Sequence, residues 1–61
     1  MINVDDVFIS KDSKIMLRVL SYTGEGFDQK CYCLLEKDDS CWNGYHTALY
    51  IERYYNKLES L

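Results

Sequence analysis

Four side chains with metal-ligating or nucleophilic chemistry fall within sixteen residues: Cys31, Cys33, Cys41 and His46, spaced C-x-C, then seven residues, then C-x4-H. Thiolate and imidazole are the ligands of structural zinc sites. The C-x-C pair, however, lies in a run with strand character, KCYCLLEK. Two residues apart on a strand, both sulfurs point to one face at about 6–7 Å from each other. Tetrahedral zinc, with bonds of about 2.3 Å, needs them closer. Cys31 and Cys33 are therefore read as small apolar core residues. Cys41 is the thiol to watch, since it precedes a helix start that could acidify it, and His46 is the only histidine available as its base. A chain of 61 residues leaves little room for the substrate pocket such a couple requires. The expectation is no catalytic residue, no metal and no cofactor.

The remaining candidates for chemistry are weaker. Asp38 and Asp39 are adjacent carboxylates without a calcium-loop pattern around them, and Asp5-Asp6 has the look of a solvated turn. Gly24 and Gly26 are not followed by the helix that a phosphate cradle requires, and they suit a loop with positive φ. The formal net charge is −3, and the seven cations (Lys11, Lys14, Arg18, Lys30, Lys37, Arg53, Lys57) are dispersed. Nucleic-acid binding shows as a basic stripe, and none is present. Neither a leader peptide nor an apolar run of spanning length is visible, and three cysteines are an odd count for a secreted disulfide framework. A complete, soluble, cytoplasmic gene product forming one small domain over 1–61 is expected, with no membrane contact.

What the chain has in excess is aromatic surface: six tyrosines and one tryptophan in 61 residues. Tyrosine combines large apolar area with a polar tip and is common at contact surfaces. The elements that would position these rings follow from periodicity. Asp5–Ser10, Lys14–Tyr22 and Lys30–Lys37 have strand character, separated by Lys11-Asp12-Ser13 and by the Thr23–Gly26 breaker. Ile15, Leu17 and Val19 share one face of the second strand, opposite Met16, Arg18, Leu20 and Tyr22; Cys31, Cys33 and Leu35 share one face of the third, opposite Tyr32 and Leu34. Asp38-Asp39-Ser40 turns the chain, and Cys41-Trp42 opens a short strand. Asn43-Gly44 is then either a hairpin turn pairing Cys-Trp with Tyr-His, or the elbow into a helix with Thr47 as N-cap.

The helix itself is predicted over Thr47–Leu58. Ala48, Ile51, Tyr54, Tyr55 and Leu58 fall on one face, with Glu52, Arg53, Asn56 and Lys57 on the other. Tyr50 lies on the flank and Leu49 points away from the core. The clean strand faces pack under this helix, leaving the mixed faces either to close a barrel or to meet a partner.

The order of DVFIS, KIMLRVLSY, KCYCLLEK, a short Cys-Trp strand and a helical tail resembles a minimal SH3-like barrel of the kind found among small phage-encoded proteins. The resemblance covers Asp5 to Leu58 as pattern and implies an α+β fold and a viral origin, without transferring functional residues. The helix is longer than the short turn of such barrels. The expected architecture is accordingly a three- or four-stranded antiparallel sheet, SH3-like and partly closed, with one C-terminal helix packed on it.

The expected function is non-catalytic: a regulator or inhibitor that docks on another protein, a host enzyme or defence complex, and blocks it. Tyr22, Tyr32, Trp42 and Tyr45 would anchor the contact, Asp38 and Asp39 would steer toward a basic groove, and Leu49 with Tyr50 would extend the patch. The alternative is a homodimeric assembly module that buries its second sheet face against its twin. A zinc or redox sensor built on Cys31, Cys33, Cys41 and His46 ranks third.

Overall fold

The computed structural model describes residues 2–58. Five strands form one antiparallel sheet: β1 (Val7–Ser10), β2 (Met16–Thr23), β3 (Lys30–Lys37), β4 (Ser40–Thr47) and β5 (Tyr55–Lys57). A 3-10 turn, Gly26–Asp28, lies between β2 and β3, and helix α1 (Ala48–Tyr54) joins β4 to β5. The spatial order is β4-β3-β2-β1-β5, so the chain runs as a meander and then carries α1 across the sheet to pair β5 with β1. β4 and β5 are free edges, and the sheet is not closed. The class is α+β with one helix, as the periodicity predicts, but with five strands instead of three or four.

Two local differences account for the added sheet. β4 runs for eight residues straight through Asn43-Gly44, which pair with Leu34 and Cys33 and form neither a hairpin turn nor an elbow. Asp38-Asp39 already makes the two-residue turn, with Asp38 at φ 54°, a left-handed conformation that Asp tolerates. The open edge of β3 then offers backbone partners all the way to Thr47. At the far end, the helical pattern stops early. Tyr55 takes extended backbone (φ −128°, ψ 153°), and Tyr55–Lys57 pairs with Phe8–Ser10. Thr47 does cap the helix, its hydroxyl accepting from Tyr50 N at 3.2 Å.

The core lies between the sheet and α1. Cross-strand partners share a face, and the pairings define rows beneath the helix: Phe8–Leu17–Leu35–Trp42, then Val19–Cys33–Gly44, then Tyr22–Cys31–His46. Phe8, Leu17, Val19, Cys31, Cys33 and Leu35 are buried, together with Ile2, Ala48, Ile51 and Tyr55. Tyr54 and Leu58, expected in the core from helical phase, are exposed. Leu58 follows a strand, where a 3.6-residue period no longer applies, and Tyr54, the last helical residue, lies at the margin of the apolar stripe with its ring against Tyr50. The register of β2 against β3 shifts between Val19 and Ser21, a bulge that inserts Leu20. It moves Tyr22 off the face of Met16 and Arg18 and onto the Cys31 side. Val4 and Asp5 make a turn that Asp6 closes by donating its backbone N–H to Asn3 O at 3.1 Å: Asp5 has φ 72°, and the Asp6 carboxylate accepts from Asn3 N at 2.8 Å and meets Lys57 Nζ at 3.5 Å.

Candidate protein-binding face

Because α1 and the N-terminal Ile2 lie on one side of the sheet, no element among the described residues packs on the other side. Alternation therefore leaves Val7 and Ile9 of β1, Met16, Arg18, Leu20 and Ser21 of β2, Tyr32, Leu34 and Glu36 of β3, and Cys41, Asn43 and Tyr45 of β4 on an uncovered face that mixes large apolar groups with charges. Arg18 sits mid-face, opposite Val7 on one side and Leu34 on the other. Tyr32 and Tyr45 are direct partners, with ring centroids 4.7 Å apart and planes tilted by 46°. Tyr45 is 75% exposed while Tyr32 is half-buried beneath it. Apolar area of this kind is favourable to remove from water, and a tilted tyrosine pair presents it with little side-chain freedom to lose.

The other rings of the expected patch are divided between sites. Trp42 and Tyr22 face the helix side at separate rows, and Asp38 and Asp39 occupy the β3–β4 turn. Leu49 and Tyr50 lie on α1, both exposed. Tyr50 belongs to a second aromatic cluster: its ring stacks on His46 at 4.8 Å and 9°, and Tyr54 leans on it at 4.8 Å and 48°. The Arg53 guanidinium lies 5.8 Å from the Tyr54 ring centre. His46 and Tyr54 were not legible as surface partners, because one reads as a candidate base and the other as helix core. Phe27 is a further exposed aromatic whose signal was present, an aromatic ring in an otherwise polar Gly-Asp loop.

The thiols and His46 do not converge. Cys31 and Cys33 are buried, and Cys33 Sγ donates to Cys31 O at 3.6 Å. Burial pushes both thiols above their ordinary range, Cys33 to about 11 with its neighbour Cys31 adding to the effect. Cys41 pairs with Glu36 on the uncovered face, whereas His46 pairs with Cys31 on the helix side, so Cys41 and His46 form no nucleophile–base couple. Among the described residues no group of three or more His, Cys, Asp or Glu side chains is placed to hold a metal ion. No helix among them is long and apolar enough to cross a membrane.

No protein-family model matches the chain, and no curated protein or solved structure is detectably similar to it.

Proposed function

We propose that the protein is a non-catalytic binding regulator that docks on another protein through the uncovered face of its sheet. The observation that carries this is the pairing of Tyr32 with Tyr45 on a face rich in large apolar side chains that no element among the described residues covers. Leu34 lies one row from the pair and Leu20 is inserted beside it by the bulge, while Met16 extends the face two rows away and Arg18, opposite Leu34, supplies a cation for orientation. Asp38 and Asp39, at the tip of the β3–β4 turn, steer the approach to a basic surface. The strand order, in which the last strand returns to pair with the first, supports an SH3-like reading, although the connection is the seven-residue helix α1 and the sheet stays open. By that resemblance the target is a host enzyme or defence complex in the cytoplasm of an infected cell, and the protein acts by blocking it.

The test is affinity capture from lysates of several bacterial hosts, with wild-type protein beside Tyr45→Glu. Tyr45 is exposed, so the variant folds. A partner retained by wild type and lost by the variant is the expected result. Equal capture by both removes the uncovered face as the contact surface.

A second arrangement, homodimerisation, is favoured by one observation: β4 is an eight-residue edge strand beside the same face. Sedimentation over a concentration series reads it directly, and a strict monomer at the highest concentration ends it.

A further inference from the structure

A groove of about 340 Å³ lies between the 3-10 turn and α1, lined by Glu25, Gly26, Phe27 and Gln29 on one side and Ala48, Leu49 and Glu52 on the other. It shares no residue with the uncovered sheet face. Its most exposed ring is Phe27, 81% accessible to solvent, and Leu49 stands across from it at 51%. One exposed apolar side chain is ordinary. Two that border a groove whose floor is Ala48 are a site an apolar side chain can enter.

The backbone that holds Phe27 outward is specialised. Gly24 has φ 74°, and a Cβ there would come within 2.6 Å of Asp28 O; Gly26 has φ 60° with open space around it. Both therefore serve the loop's shape, a conformation that residues with a Cβ adopt only under strain. The two walls are tied together from below. Ala48 N donates to Gln29 O at 2.9 Å, and the buried Gln29 side chain donates through Nε2 to Ile2 O at 2.7 Å. A binder thus meets a groove already ordered, which lowers the entropy cost of docking.

Charge selects the ligand. Of the residues lining the groove, Glu25 and Glu52 are anionic and none is cationic. A ligand that covers these carboxylates must replace their water with a compensating charge. Phosphate-bearing and acidic ligands are repelled, and a purely apolar one leaves the carboxylates uncompensated. We propose that this groove is a second binding site, for a peptide segment in which an apolar side chain is flanked by lysine or arginine. The apolar side chain enters between Phe27 and Leu49, and the flanking cations meet Glu25 and Glu52.

The probe is the peptide acetyl-Lys-Leu-Lys-Leu-Lys-amide, titrated into isotopically labelled full-length protein and followed through backbone amide shifts. Two controls replace every Lys by Glu or every Leu by Gly. Saturable shifts at Phe27, Gln29, Ala48 and Leu49 with the first peptide alone are expected. The charge-reversed double variant Glu25→Lys/Glu52→Lys should raise Kd by about tenfold or more, and Leu49→Ser should do the same with the spectrum otherwise unchanged. Tyr45→Glu should leave this binding intact, which separates the groove from the sheet face: either can fail without the other. The proposal is overturned if no saturable shift appears, or if either control peptide binds equally well. It is equally overturned if the shifts centre on Tyr32 and Tyr45, or if they arise from self-association without peptide.

Discussion

Gln29 Nε2 donates to the carbonyl oxygen of Ile2 at 2.7 Å, joining the start of β3 to the N-terminal segment across twenty-seven positions of sequence. Both residues are 2% exposed, so this polar contact sits inside the apolar core. Gln29 also accepts from Ala48 N through its backbone oxygen. One residue thereby holds three parts of the chain: the N-terminus, the loop before β3 and the start of α1.

Gln29→Leu keeps the volume but orphans the Ile2 carbonyl. An unsatisfied buried acceptor costs about 1–3 kcal/mol, so the urea midpoint should fall while the denaturant slope stays the same. An unchanged midpoint would show that the contact contributes nothing to stability.

On α1, Ile51 is fully buried and Leu49 is half exposed. Emptying a buried aliphatic site costs about 2–5 kcal/mol, and exposed substitutions usually stay within about 0.5 kcal/mol. Chemical denaturation of Ile51→Ala and Leu49→Ala should reproduce that contrast. Tyr54→Ala should fall nearer Leu49→Ala than Ile51→Ala, because Tyr54 is half exposed and its ring meets the surface cluster of Tyr50 and Arg53.

Burial holds the His46 imidazole below its ordinary value of 6.5. The unfolded chain then binds the proton more readily than the folded one, so this contribution to stability is fully present above pH 6.5 and is lost as pH falls towards the folded-state value. Asp12 acts lower on the scale. The Ser10 hydroxyl, and then the Lys14 backbone N–H, hold its carboxyl below 3.8, so its contribution is present above that value and disappears as pH falls further. Thermal melts should decline from pH 6.5 downward, and His46→Phe, which preserves a ring against Tyr50, should flatten the upper part of that decline. A variant with the wild-type profile would show that His46 is not its source.

Of the three thiols, only Cys41 is exposed. A thiol-reactive chromogenic disulfide should label one cysteine per chain rapidly in the native protein and the other two only under unfolding conditions. Cys41→Ser should abolish the rapid phase. Fast labelling of that variant would mean that the sheet opens locally around Cys31 and Cys33.

The faces of β2 and β3 were legible because a strand's period of two acts residue by residue: Leu17 and Val19, Cys31, Cys33 and Leu35 are apolar at alternate positions and all are buried. The Thr47 cap was legible for the same local reason, a hydroxyl placed just before the first helical turn. Other features depended on partners distant in sequence. Asn43-Gly44 carries turn chemistry, yet an open strand edge drew it into β4. Tyr55 suits the helix pattern with Ile51, yet the edge of β1 drew it out of α1 into β5.

The residues by themselves determined the class, the single helix and its buried Ile51, and the core faces of two strands, since each follows from short-range periodicity and burial of apolar area. Only the tertiary structure decided which aromatic rings stand together. The bulge at Leu20 carries Tyr22 to the helix side, and register pairs Tyr32 with Tyr45. Each depends on backbone hydrogen bonds between segments far apart in the chain, and a one-residue shift in such pairing changes the face on which a side chain lies.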